Sequence, residues 1–211
     1  MKKTYKNIIS HYEECLEKHG DTHLGVDWPK IEDVDKRYQV MLDVIKFDAL
    51  NMASSSLLDF GCGTAHLLEF IDKKGYSNIQ YSGLDISQKF IDVAKHKFPL
   101  IDFYCCDIFE EKSNMPIFDY IVMNGVFTEK RELTFDQMWD YFTKLITLVY
   151  EKSSKGIAFN VMSKNVDWER NDLFHVPHDL LTEFLCKNIT RNYIIRNDYG
   201  LYEYTVYVLK K

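Results

Sequence analysis

Leu57-Leu58-Asp59-Phe60-Gly61-Cys62-Gly63-Thr64-Ala65 is the stretch on which the reading of this chain turns. Leu57 to Phe60 has the short apolar character of a buried strand, and Thr64 to about Lys74 the spacing of a helix that stops at Gly75. Between them, Gly61 and Gly63 permit a tight turn and let a ligand approach the main chain. A nicotinamide-binding fingerprint would continue with Gly or Ala at position 66, where helix and strand pack closely, but His66 stands there. A phosphate-cradling loop would end in Gly-Lys-Ser/Thr, which the sequence lacks.

Working outward, strands and helices alternate. Tyr81 to Asp85 reads as a second strand. Ser87 caps a helix that runs to about Phe98 and stops at Pro99, and Ile101 to Cys105 is a third strand. Phe118 to Met123 is a fourth strand, Thr134 to about Lys152 a long amphipathic helix, Ile157 to Met162 a fifth strand, and 178–188 a helix. Two closing strands, about 192–197 and 203–209, are separated by Asp198-Tyr199-Gly200, too short a link for a helical crossover, so they run antiparallel. Such alternation predicts an α/β fold with three layers, a Rossmann-like sheet of seven strands, mostly parallel with one antiparallel C-terminal hairpin strand. Upstream, residues 4–19 place Ile8, Ile9, Tyr12, Cys15 and Leu16 at helical spacing. A loop at 20–30 ends in Trp28-Pro29, and a second helix is expected over 31–50. The Ala53-Ser54-Ser55-Ser56 cluster divides this helical lid (1–56) from the sheet (57–211).

Composition narrows the function. The 211 residues suit one domain, and 46% hydrophobic content excludes a disordered chain. No apolar run approaches the roughly 20 residues of a membrane helix. Met1-Lys2-Lys3 is followed by polar Thr4-Tyr5-Lys6-Asn7, not by an apolar signal core, which predicts a cytoplasmic protein. A net charge of −6 argues against a nucleic-acid partner, because neutralising phosphates takes a basic surface. The five cysteines contain no Cys-x-x-Cys pair and predict reduced thiols and no metal.

Three further signals follow the strands. Asp85 ends the second strand, about 22 residues from the glycine turn, where a carboxylate accepts both hydroxyls of a ribose. After the third strand, Asp107 is placed to accept from an exocyclic amine and Ile108 to pack on a purine face. Asn124-Gly125 follows the fourth. All lie at the carboxyl ends of neighbouring strands, where open parallel sheets bind ligands.

With these residues in place, the sequence resembles the class I S-adenosylmethionine-dependent methyltransferases. The family pattern Asp/Glu-x-Gly-x-Gly-x-Gly matches Asp59 to Ala65, with Ala65 in place of the last glycine, and the C-terminal hairpin is also a family mark. The resemblance implies S-adenosylmethionine as cofactor, bound by Asp59, Gly61, Cys62, Gly63, Asp85, Ile86, Asp107, Ile108 and Asn124. It further implies N-terminal helices that close over the site, with Arg37 or Tyr38 reaching the methionine end and Tyr5, Tyr12 and Trp28 offering aromatic faces to a sulfonium. The reaction is expected to be O-methylation of a small polar molecule, with Tyr12 and Trp28 also placed to touch that acceptor.

The segment from Ser163 to His175 follows the fifth strand and is dense in charge. It supplies Trp168 and Arg170 as acceptor contacts. For a hydroxyl acceptor it supplies His175 as general base, with His11 and His178 as rivals, since imidazole titrates near neutrality. An acceptor that is already anionic needs only positioning, in which Arg131, Arg170 and Arg196 matter more. Arg196, in the C-terminal hairpin, joins them as a contact for an anionic acceptor. The stretches around Gly25 to Trp28, Asn124 to Lys130 and Val166 to Arg170 look similar to small bacterial methyltransferases of surface-polysaccharide (capsule) clusters, which implies a sugar, phosphate or phosphoramidate oxygen. The competing expectations are a non-catalytic cofactor-binding protein of the same fold and, more distantly, a nicotinamide oxidoreductase.

Overall fold

The structure is a computed structural model that describes residues 5–47, 54–110 and 115–210. The sheet strands are β1 (Ser55–Phe60), β2 (Ile79–Asp85), β3 (Phe103–Cys105), β4 (Phe118–Phe127), β5 (Ser153–Ser163), β6 (His175–Val176), β7 (Tyr193–Arg196) and β8 (Glu203–Leu209). Seven of them run in the order β3-β2-β1-β4-β5-β8-β7. β3, β2, β1, β4 and β5 are mutually parallel, while β8 is antiparallel to both β5 and β7. The expected seven-stranded α/β sheet with its antiparallel end is therefore present. β6 adds a two-residue strand beside the end of β5, too short to leave a periodic signal.

The helices are α1 (Lys6–His19), α2 (Val34–Leu42), α3 (His66–Lys74), α4 (Gln88–Lys97), α5 (Phe135–Glu151) and α6 (His178–Asn188). Buried residues of α5 and α6 join the β4, β5 and β8 side chains in one core layer, which includes Phe127, Phe142, Phe159, Phe174 and Leu181. Buried residues of α2, α3 and α4 join Leu57, Tyr120 and Tyr207 in the second layer, on the other face. Among the described residues no helix is long and apolar enough to cross a membrane.

The N-terminal region departs from the single long helix expected over 31–50. A 3-10 turn (Ile31–Asp33) leads into α2, and a second one (Asp43–Phe47) follows it. The Val40 carbonyl, which a continuing α-helix would give to Val44, accepts the Tyr207 hydroxyl at 2.5 Å. The expected residues 48–50 of that helix lie outside the described residues. The two helices also differ in role: Tyr38, Val40, Met41 and Leu42 sink α2 into the core, whereas α1 lies across the carboxyl ends of the strands.

β4 also runs further than expected. Between the pairs Met123–Phe159 and Phe127–Val161, β4 advances four residues while β5 advances two. This bulge lifts Asn124, Gly125 and Val126 out of the ladder and toward the site, as bulges beside functional sites do.

Candidate active site

A cavity opens at the carboxyl ends of β1, β2, β3 and β4. Its wall includes Asp59, Gly61, Cys62, Gly63, Asp85, Ile86, Asp107, Ile108 and Asn124, which are all but one of the residues assigned to the cofactor from the sequence. The turn after β1 builds the floor. Gly61 and Cys62 N–H groups both donate to the Leu84 carbonyl, at 2.7 and 2.9 Å. Gly61 has a φ of +76°, and a Cβ there would meet Val126 Cγ2 at 2.7 Å. Gly63 follows at φ +54°, and Ala65 also lies in the left-handed region, at φ 67° and ψ 36°, where the motif has its last glycine.

Two carboxylates dominate the electrostatics. Asp85 accepts the Gly63 N–H at 3.0 Å and the Ser87 N–H at 2.8 Å. Enclosure by protein pushes its carboxyl up to about 6, against the pull of those hydrogen bonds. Asp59 is buried and accepts the Tyr81 hydroxyl at 2.9 Å. Burial first, then the neighbouring Asp85 charge, pushes it up to about 7.

Helix α1 roofs the cavity and is fastened along its length. Tyr5, just before it, donates to Asp107 Oδ2 at 2.5 Å, and Asp107 Oδ1 accepts the Phe109 N–H at 3.1 Å. Glu13 accepts the Ser87 hydroxyl at 2.6 Å and pairs with Lys89 at 3.0 Å. Tyr12 donates to the Gly125 carbonyl at 3.4 Å. The Tyr5 ring packs 5.1 Å from that of Tyr141 on α5 and 6.0 Å from that of Phe109. Tyr5, Tyr12 and Trp28, the three aromatics expected to face a sulfonium, all line the cavity. The pattern of the sequence does not single out Tyr141 or Phe109, because each also fits an ordinary packing position. Burial pushes the Tyr12 and Tyr141 hydroxyls up, so both stay protonated at neutral pH and act as donors.

Five expected site residues lie elsewhere. Arg37 is drawn off by Glu203, whose two carboxylate oxygens both accept from its Nε at 3.1 Å, and its guanidinium stacks 5.3 Å from the Trp28 ring centroid. His175, on β6, spends both ring nitrogens on backbone. Nδ1 donates to the Ser163 carbonyl at 2.7 Å, and Nε2 accepts the Arg170 N–H at 3.4 Å. That leaves it buried, with both ring nitrogens turned to backbone and away from the cavity. Trp168 packs edge-on against Tyr202 and His175. Arg170 is held by Asp172 through Nε and Nη2, at 3.0 and 2.5 Å, and Arg196 by Asp198 and Asp43. None of the five lines the cavity.

The donor set fits S-adenosylmethionine. The glycine turn leaves no room for a side chain at Gly61, Asp85 and Asp107 stand at the tips of adjacent strands, and the bulge presents Asn124. Both polar atoms of the Asn124 amide, Nδ2 and Oδ1, are buried without a partner among the described residues. An unpaired buried amide is costly, and one on a cavity wall is left for a ligand or a water to satisfy.

Comparison with known proteins agrees with this geometry. A family model described as a methyltransferase domain matches residues 58–147. A protein of Mycobacterium tuberculosis named as a methyltransferase is 26% identical over 160 residues, covering 74% of this chain and 93% of that one. Magnesium protoporphyrin IX methyltransferase from Synechocystis PCC 6803, solved with bound SAM, superposes with a TM-score of 0.63 at 14% identity, over 98% of this chain and 97% of that one. The plantazolicin methyltransferase BpumL, solved with SAH, gives 0.58 at 14% identity, over 100% and 91%. The likeness to these two structures is one of fold.

Proposed function

We propose that this chain, a class I S-adenosylmethionine-dependent methyltransferase, methylates a small polar molecule at an oxygen that is already ionised near neutral pH. Asn124 carries the reading: an unpartnered buried amide, set by the β4 bulge at the mouth of a cavity whose other strand ends offer Asp59, Asp85 and Asp107.

When bound, S-adenosylmethionine supplies a methyl group on a sulfonium, a centre open to displacement by a nucleophile. The chain supplies position. Asp85 accepts the ribose hydroxyls, Asp107 accepts from the adenine amine beside Ile108, and the turn at Gly61 to Gly63 gives main-chain contact. Asn124 holds the methionine end, and Tyr12 and Trp28 turn aromatic faces to the positive charge, which is worth roughly 0.5–2 kcal/mol. Holding two reactants in line can supply roughly 7–11 kcal/mol of the barrier without any acid or base.

The pre-ionised acceptor follows from what lines the cavity. His66 is the one histidine among the lining residues, and its Nε2 is engaged by Asp21 at 2.7 Å and Thr64 Oγ1 at 3.1 Å. With His175 turned away and the tyrosines protonated, the lining groups able to take a proton are the carboxylates, of which Asp85 and Asp107 are assigned to the cofactor and Asp59 is buried and already accepts the Tyr81 hydroxyl. A phosphate or carboxylate oxygen needs no such group.

The experiment is a calorimetric titration with S-adenosylmethionine and S-adenosylhomocysteine, followed by mass-spectrometric detection of methyl transfer to a panel of sugar phosphates, carboxylates and neutral sugars. Saturable cofactor binding and turnover confined to anionic acceptors are expected. Cofactor affinity weaker than about 1 mM would remove the enzymatic reading, and turnover on neutral sugars alone would remove the acceptor class.

A further inference from the structure

His11 and Cys15 stand four residues apart on α1, so their side chains leave the same face of the helix. Asp27 reaches the same point from the loop that follows. That loop is closed by reciprocal bonds: Trp28 N–H donates to the His23 carbonyl at 2.8 Å, and His23 Nδ1 donates to the Trp28 carbonyl at 2.6 Å. Asp27 itself is held with φ at +57°. The outcome is a convergence on one atom. His11 Nε2 lies 2.8 Å from Asp27 Oδ2 and 3.8 Å from Cys15 Sγ. One nitrogen, one sulfur and one carboxylate oxygen all fall within 4.8 Å of one another.

An ion pair between His11 and Asp27 accounts for one of these approaches, and helical spacing brings the Cys15 sulfur near. A tetrahedral cation would use all three donors at once. With metal–nitrogen and metal–oxygen distances near 2.0 Å and metal–sulfur near 2.3 Å, ligand atoms of such a centre are about 3.3–3.5 Å apart, between the two spacings seen here. The mixed nitrogen, sulfur and oxygen set is that of zinc and similar borderline ions, whereas calcium and magnesium take oxygen alone.

We propose that His11, Cys15 and Asp27 form a binding site for a zinc-class divalent cation, with a fourth position left open. The cation pins the 20–28 loop to α1. Tyr12, Val26 and Trp28, each next in sequence to one of the ligands, line the cofactor cavity, so the metal fixes the roof over that cavity. The cysteine spacing in the sequence does not reveal it, because the ligands converge only once the loop folds back on α1. The site shares no residue with the cofactor wall, so it stands apart from the acceptor reading.

The full chain, stripped with chelator, is titrated with Zn2+ by calorimetry and with Co2+ by absorbance. One equivalent is expected to bind, with a thiolate-to-cobalt charge-transfer band that Cys15→Ser abolishes. His11→Ala and Asp27→Asn are expected to weaken Zn2+ by at least about 100-fold. A second readout needs no variant: Zn2+ protects Cys15 from alkylation, located by peptide mass spectrometry, and leaves the exposed Cys105 and Cys186 reactive. The proposal is overturned if Zn2+ does not bind saturably, if binding survives Cys15→Ser and His11→Ala, or if Cys15 is alkylated at the same rate with and without the metal.

Discussion

The side-chain carbonyl of Asn160 accepts the Gly125 N–H at 2.8 Å, across the gap that the β4 bulge opens in the ladder. The same amide donates through Nδ2 to Glu203 Oε1 at 3.1 Å, and Glu203 holds Arg37. A chain of buried contacts thus runs from α2 through β8 and β5 to the bulge that presents Asn124. Asn160→Leu keeps the volume but strands the Gly125 N–H and removes one partner of the Glu203 carboxylate. Each loss costs about 1–3 kcal/mol. Urea unfolding is expected to show a midpoint lowered to match a loss of about 2–4 kcal/mol, with an unchanged slope. An unaltered midpoint would show that water replaces the amide and that the relay is dispensable.

Asp85 is tied to the glycine turn through Gly63 and to α4 through Ser87, which holds its carboxylate in place before any ligand arrives. Asp85→Ala removes an acceptor for the ribose hydroxyls, and a hydrogen bond to a charged partner is worth about 1.5–3 kcal/mol. The dissociation constant for S-adenosylhomocysteine, measured by calorimetry, is expected to rise by about 10- to 100-fold. An affinity within twofold of the parent would place the ribose elsewhere.

How much of this was legible beforehand depends on whether the chemistry is local. The glycine turn, Asp85, Asp107 and Asn124 are each marked by their place at a strand end, and all reach the cavity wall. Arg37 and His175 carry no local mark of their partners. Glu203 is 166 residues from Arg37 in the chain and claims it only once β8 lies beside β5. The Ser163 carbonyl meets His175 only through the β5–β6 pairing. The bulge in β4 is equally silent, because an apolar strand reads the same whether or not its partner keeps pace. Charge density between Ser163 and His175 suggested a binding loop, but the charges pair with one another, as Lys164 with Glu169 and Arg170 with Asp172.

Tyr5 makes the roof's contact with Asp107, the carboxylate proposed to hold the adenine amine. Its hydroxyl donates to Asp107, its ring packs on Tyr141 and Phe109, and both residues of the pair line the cavity. Tyr5→Phe retains the ring contacts and removes the tie. The roof then opens more readily, and the dissociation rate of S-adenosylhomocysteine is expected to rise by about tenfold, the equivalent of about 1.4 kcal/mol. Stopped-flow fluorescence of Trp28, which lines the same cavity, reads the change. A rate equal to the parent's would show that Glu13 and Tyr12 suffice to hold α1.

The raised carboxyls set two opposite pH dependences. Asp59 and Asp85 sit at about 7 and about 6 in the folded chain, against an ordinary value of 3.8. Between about pH 4 and 7 the folded state therefore binds protons that the unfolded state has released. Stability without ligand is fully present below the unfolded value and is lost as pH rises through the folded ones, by an amount on the order of a few kcal/mol. The depressed acids, among them Glu13, Asp21, Asp119 and Asp172, lose their contribution only as pH falls through values below their own ordinary ones, so they do not mask this window. Thermal melts of the ligand-free chain should thus give a higher midpoint at pH 5 than at pH 7.5, and Asp59→Asn should flatten the difference. Cofactor affinity is expected to run the other way, because ionised Asp85 can accept from both ribose hydroxyls in the proposed binding mode and protonated Asp85 cannot. The dissociation constant for S-adenosylhomocysteine is expected to climb as pH falls below about 6, by up to roughly tenfold per pH unit. Melting midpoints that rise from pH 5 to 7.5 in the parent and in Asp59→Asn alike would show that these carboxyls titrate at ordinary values.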